Sequence, residues 1–107
     1  MPSAPAKLVT IITVFEAKDH VQRGLGTLGL GGYSVARVEG HGVHGDLASG
    51  IGTAKNFLFL VVTEAGRAAA LLEWVERELL PNFPGIAYSV DAMVVPEPAA
   101  GGRAGAR

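Results

Sequence analysis

The sequence has no cysteine at all. That excludes a disulfide scaffold, a zinc ribbon, an iron–sulfur cluster and thiol catalysis. It lacks any surplus of charge: nine Lys and Arg face ten Asp and Glu, a net charge of −1 with a pI near 6.3. A nucleic-acid binder working through a basic surface is therefore not expected. No stretch of about 18 apolar residues is present, so no transmembrane helix is expected. Met1 to Ala6 has no charged region followed by an apolar run, which gives the expectation of no signal peptide and a cytoplasmic protein. What remains is 107 residues, 49% hydrophobic and 18% charged, too apolar for a disordered chain and enough for one domain.

The ends differ in composition from the middle. Residues 1–6 carry two prolines among small residues, and 96–107 (PEPAAGGRAGAR) have no periodicity, so both read as flexible tails around a domain at 7–95. Leu8–Phe15 is β-branched and aromatic and predicts a strand. Lys18–Leu28 carries Val21, Leu25 and Leu28 on one helical face, weakened by Gly24 and Gly26 and ended by Gly29-Leu30-Gly31-Gly32. Tyr33–Glu39 predicts a second strand, residues 40–53 a glycine-rich loop, and Phe57–Val62 a third strand. Ala65–Leu80 predicts a helix with Ala68, Leu72, Val75 and Leu79 as its stripe and Pro81 as its stop. Gly85–Val95 closes the domain as a fourth strand. The order βαββαβ is that of the α+β, ferredoxin-like fold: a four-stranded antiparallel sheet with two helices on one face.

A sheet covered on one side should alternate apolar and polar residues. Here both faces are apolar: Leu8, Ile12 and Val14 oppose Val9, Ile11 and Phe15, and Phe57, Phe59 and Val61 oppose Leu58, Leu60 and Val62. The helices cover one face. The economical cover for the other is the same sheet from neighbouring copies in a cyclic homo-oligomer. The alternative is a loop or tail folding back, for which the glycine-rich segments are poorly suited.

Chemistry is sparse. Gly40-His41-Gly42 opens the glycine-rich loop, and backbone amides freed by glycine can converge on phosphate oxygens. No Gly-Lys-Ser/Thr follows, and a strand rather than a helix comes next, which excludes a Walker A loop and a Rossmann fingerprint. On composition alone the loop reads rather as a flexible hairpin connection between strands two and three. His41, His44 and Asp46, with Glu39 nearby, could ligate a divalent metal. His20 reads as a surface residue and Trp74 as packing at a helix edge. Glu73, Glu76, Arg77 and Glu78 form a solvated helix face. Asp91, among apolar strand residues, is either a buried, paired acid or a residue at a subunit edge. No nucleophile–base spacing is present, so an enzyme is not expected.

GGYSVARVEGHG and the closing NFPGIAYSVDAMVV resemble PII signalling proteins, nearest to the PII-like branch associated with bicarbonate transporters and carboxysomes. Gly32-Tyr33, Gly40-His41-Gly42, Thr63-Glu64, Gly85-Ile86 and Tyr88 carry the resemblance, over residues 7–95. It implies a homotrimeric signal-transduction regulator of nitrogen or carbon metabolism, binding adenine nucleotide in clefts between subunits. By position, Gly32, Tyr33 and Ser34 would line the nucleoside. Gly40, His41 and Gly42 would offer amides to phosphate, and Phe83, Pro84, Gly85 and Ile86 would frame the base from the neighbouring edge. Residues 43–53 correspond to the T-loop that contacts targets, here a bicarbonate transporter or carboxysome component, with recruitment to the membrane through that transporter.

The T-loop tyrosine motif is absent, so uridylylation is not expected. Pro84-Gly85-Ile86 replaces a glycine-rich phosphate segment with its lysine, and Val43 replaces an arginine. AMP or ADP, or cyclic AMP, is thus expected over ATP, with bicarbonate as a further effector and no obligatory metal. The alternative is a divalent-metal-binding trimer of the same fold, using His41, His44 and Asp46.

Overall fold

The computed structural model describes residues 4–42, 45–46 and 55–96; for residues 41, 42, 45 and 46 it describes the backbone. The tail at 97–107 and most of the loop at 43–53 lie outside these residues. The strands are β1 (Ala4–Val14), β2 (Ser34–Val38), β3 (His41–Gly42), β4 (Gly45–Asp46), β5 (Asn56–Thr63) and β6 (Gly85–Val94). The helices are α1 (Lys18–Thr27) and α2 (Ala65–Trp74). The main sheet has the order β2-β5-β1-β6, with every neighbour antiparallel. This is the expected ferredoxin-like architecture, with β3 and β4 added as a small ladder of their own at the loop base.

The core lies between sheet and helices. Val9, Ile11, Phe59 and Val61 from the central strands meet Val21 and Leu25 of α1 and Leu71 of α2, all fully buried. The antiparallel register puts Val9 opposite Val61 and Ile11 opposite Phe59, so the two central strands present one continuous apolar surface to the helices.

Several boundaries depart from the sequence reading. β1 begins at Ala4, inside the segment expected as tail. Ala4, Pro5 and Ala6 pair only with β6, because pairing to β5 ends at Lys7–Thr63. One edge of the chain is thus unpaired at Pro5, which is where a strand tolerates a residue without an N–H. β1 stops at Val14, and Phe15–Ala17 turns through a 3₁₀ segment into α1, leaving Phe15 exposed.

The end of α1 is a Schellman motif: Leu30 N–H donates to Leu25 O at 2.8 Å and Gly29 N–H to Gly26 O at 3.1 Å. Gly29 has φ +74°, a conformation suited to glycine. Arg67 of α2 locks this turn, its Nη1 donating to Gly29 O at 3.1 Å.

The second helix is not uniform. After Trp74 it widens into π-type turns over Val75–Leu79, with Leu80 N–H reaching Val75 O at 2.9 Å. The widening leaves the Glu78 carbonyl to side chains: His20 Nε2 lies 2.9 Å and Asn82 Nδ2 3.2 Å from it.

His20 is a correction to the sequence reading, whereas Trp74 packs as expected, within the core and not at its margin. His20 is half-buried between Trp74 (ring centroids 5.2 Å apart) and Phe83 (5.8 Å). Trp74 is buried against α1, directly over Gly24, where a Cβ would lie 2.2 Å from its ring. Gly24 therefore weakens α1 locally but admits the indole.

No helix among the described residues covers the opposite face of the sheet. Ala36 of β2, Leu58 and Leu60 of β5, Leu8 and Ile12 of β1, and Ile86, Tyr88 and Val90 of β6 share it by register. Ile86, Tyr88 and Val90 are about half exposed. This contiguous apolar surface is the one the strand patterns anticipated.

Candidate functional site

The residues singled out in the sequence fall into three groups. Gly32, Tyr33 and Ser34 lie at the entry to β2. Ser34 is exposed, opposite Leu60. Tyr33 is half-buried and its ring packs on Phe59 at 6.0 Å, so part of it belongs to the core. Gly40, His41 and Gly42 lie at the exit of the same strand, about 20 Å away at 3.3 Å per residue. The β3–β4 ladder pairs His41 with Asp46 and Gly42 with Gly45, which fixes the backbone of the loop base.

The third group sits on the far edge of the sheet. Phe83 N–H donates to Leu79 O at 3.0 Å, and its ring lies against His20 rather than standing free. The buried Thr13 hydroxyl donates to Pro84 O at 2.8 Å. Gly85 pairs with Thr13, and a Cβ there would lie 2.6 Å from Ile12 O. These contacts pin the turn that leads into β6. Ile86 emerges on the helix-free face, 53% exposed.

Gly40 and Gly85 lie at the same end of the sheet, on opposite edges. Three strand spacings, roughly 14 Å, separate β2 from β6. One chain therefore does not bring the Gly40–Gly42 and Phe83–Ile86 groups together.

Two features escaped the sequence reading. Asn56, the first residue of β5, is 1% exposed, and among the described residues neither its Nδ2 nor its Oδ1 has a hydrogen-bond partner. It pairs with Val14 and Val38 and lies beneath Gly40, where a Cβ would be 3.4 Å from Nδ2. A polar residue ahead of an apolar run was the only signal in sequence. The second is the His20–Trp74–Phe83 cluster, which depends on contacts across more than fifty residues.

For a metal, the described residues hold no group of three or more His, Asp or Glu positioned to bind an ion. His44 lies outside them. Asp91 is paired, as one reading had it, but exposed: Lys7 Nζ donates to its Oδ1 at the surface. That hydrogen bond first, and the lysine charge second, hold the Asp91 carboxyl below its ordinary range. A groove lined by Lys7, Ala65, Asp91 and Met93 lies at the other end of β1 from Asn56 and contains none of the expected site residues. No helix among the described residues is long and apolar enough to cross a membrane.

The architecture is a ferredoxin-like sheet with one apolar face that no helix among the described residues covers, and with a glycine-bracketed second strand. The profile of the family described as nitrogen regulatory protein P-II matches residues 6–95, and the chain belongs to that family. Solved structures agree in fold. A PII-like signaling protein from Thermus thermophilus is 25% identical, with 89% of this chain and 94% of that one covered and a TM-score of 0.72. CPII, a nitrogen regulatory PII-like protein from Thiomonas intermedia bound to ADP, AMP and bicarbonate, is 20% identical, with 89% and 98% covered and a TM-score of 0.74. The apo form of CPII is 17% identical, with 86% and 94% covered and a TM-score of 0.71. No curated protein matches the sequence.

Proposed function

We propose that the chain is a non-catalytic regulator that binds AMP or ADP in clefts between the subunits of a homotrimer. Bicarbonate is its second effector, and residues 43–53 report the state of the cleft to a protein target. The observation that carries this reading is the placement of the two residue groups on opposite sheet edges. Gly40–Gly42 and Phe83–Ile86 can face each other only when the β2 edge of one copy meets the β6 edge of the next. The open apolar face supplies the driving force for that association. Burying apolar area contributes about 25 cal/mol per Å², and half-exposed Ile86, Tyr88 and Val90 stand at its centre. CPII, similar in fold, has been seen with ADP, AMP and bicarbonate.

The chemistry follows from the residues. Gly40 and Gly42 carry no side chain to obstruct an anion approaching their amides. With Pro84-Gly85-Ile86 on the facing edge and no lysine there, a triphosphate gains no charge-assisted contact from that segment, which favours AMP or ADP. Signalling is a population shift: a ligand with different affinity for two states of the 43–53 segment changes their ratio by that difference and no more. A cytoplasmic regulator of a bicarbonate transporter or carboxysome component fits this ligand set.

Gly42→Glu tests the site. A carboxylate on the loop base crowds and repels phosphate, so calorimetry should show AMP and ADP binding abolished while light scattering shows the oligomer unchanged. Unaltered affinity would remove Gly42 from the site.

A further inference from the structure

The second helix ends in a geometry that its own backbone does not account for. π-type turns are rare, and here they occupy the last stretch of helix before the turn into β6. Leu80 N–H reaches back five residues to Val75 O at 2.9 Å. Asn82 and Phe83 N–H both turn to Leu79 O, each at 3.0 Å. Pro81 has no N–H to give. The Glu78 carbonyl is thus passed over by the backbone donors that follow it.

Two side chains serve it instead: His20 Nε2 lies 2.9 Å and Asn82 Nδ2 3.2 Å away. A carbonyl only accepts, so the imidazole carries its hydrogen on Nε2. Asn82 is four residues on and belongs to the turn itself. His20 comes from α1, 58 residues away in sequence. Its ring stands between Trp74, at 5.2 Å, and Phe83, at 5.8 Å. At this carbonyl, His20 is the group that ties the turn to the rest of the fold.

The competing arrangement is an ordinary α-helical register. There Leu79 N–H would take Val75 O, Asn82 N–H would take Glu78 O, and the chain beyond would be drawn back by one residue. One helical residue is about 1.5 Å of rise and, at about 3.6 residues per turn, about 100° of rotation. Thr13 holds Pro84 O at the far end of the turn. The shift would therefore fall between Asn82 and Pro84, where the Phe83 ring sits. An α register satisfies Glu78 O from the backbone; the π register needs a donor brought from outside.

We infer that His20 is a positioning residue: by donating from Nε2 to the Glu78 carbonyl it keeps the end of the second helix in the π register, and so sets where Phe83–Ile86 stand. This rests on the regulatory reading above for its consequence at the nucleotide, whereas the register is measured without ligand.

Two variants separate the hydrogen bond from the packing. His20→Phe keeps an aromatic ring between Trp74 and Phe83 and removes the donor. His20→Gln loses the ring and keeps an amide donor at a similar reach. NMR couplings across hydrogen bonds identify the carbonyl to which each amide is bound, here in the unliganded full chain. Calorimetry with AMP reads the cleft. One hydrogen bond changes an equilibrium by about two- to tenfold. In His20→Phe the coupling between Leu80 N and the Val75 carbonyl should fall to about a third or less, with a Leu79–Val75 coupling in its place. AMP should bind about threefold more weakly or worse, in step with the lost π population, because only that population presents the cleft edge. His20→Gln should stay within about twofold of the wild type in both readings.

An undiminished Leu80–Val75 coupling in His20→Phe would overturn the inference, whatever happened to stability. So would a loss in His20→Gln as large as that in His20→Phe, which would assign the register to ring packing. A changed register with unchanged AMP affinity would also overturn it, since Phe83–Ile86 would then have no bearing on the cleft. A wild-type chain that binds neither AMP nor ADP would refute the nucleotide reading, and the couplings alone would then decide whether His20 sets the register.

Discussion

Adding one carbon to α1 should have opposite consequences at two positions only two residues apart. At Gly26 a Cβ would meet nothing within 4 Å, and the residue is exposed. Gly26→Ala should therefore express the intrinsic helix preference of alanine, a gain of about 0.5–1 kcal/mol. At Gly24 the same preference applies, but the new Cβ would lie 2.2, 2.5 and 2.6 Å from three atoms of the Trp74 indole. Ordinary carbon contacts are about 3.5–4 Å, so the ring must move by more than 1 Å. It has little freedom, packed against His20 and closed in the core. Overpacking of this kind costs about 1–3 kcal/mol. Net of the helix gain, Gly24→Ala should destabilise by up to about 2 kcal/mol. Urea denaturation at one fixed protein concentration reads both variants, because oligomer stability depends on concentration. Each 1 kcal/mol should move the thermal midpoint by about 4–8 °C. Trp74→Leu should relieve the clash, so the double variant should show a coupling within about 0.5–3 kcal/mol. Equal stabilisation by both alanines, or no coupling to Trp74, would refute the packing argument.

Two further outcomes follow from the surface. Lys7 holds the Asp91 carboxyl below its ordinary range, so the pair favours the fold above the unfolded carboxylate pKa, near pH 4, and that contribution is lost as pH falls through the lower folded value. Lys7→Met should lower stability slightly at neutral pH, where the pair is formed, and converge with the parent at the acid end, so that stability falls less steeply with acid; the difference is small because both groups are exposed. Tyr88→Asp places a charge on the helix-free face, 46% exposed in the single chain, and should convert the oligomer to monomer in sedimentation; an intact assembly would show that this face is not the interface.

The fold was legible because its signals are local. The β-branched and aromatic runs Leu8–Phe15 and Phe57–Val62, the stripe Ala68–Leu79 and the stop at Pro81 each specify an element, and their order specifies the architecture. The two-faced apolar strands also announced the open face, since β-strand faces depend only on alternation. What stayed hidden depends on distant contacts. Gly24 reads as a weak helix residue until Trp74, fifty positions on, is placed over it. His20 reads as solvated until the widened turns at Val75–Leu79 present the Glu78 carbonyl. Asn56 is unremarkable as a strand's first residue; its burial arises only where β1, β2 and β5 converge at the loop base. The start of β1 was missed because prolines suggest a tail, and only the one-sided pairing of Ala4–Ala6 shows why Pro5 fits a strand.

The central claim is that nucleotide is held between copies by residues on opposite sheet edges. Its most direct measurement is calorimetric titration of AMP and ADP into the chain, with its mass determined by light scattering in the same buffer. The account predicts a particle of about 33 kDa, three copies of an 11.0 kDa chain. It predicts one nucleotide per chain, with binding lost when Tyr88→Asp dissociates the particle. A monomer that binds AMP or ADP with undiminished affinity would contradict the account.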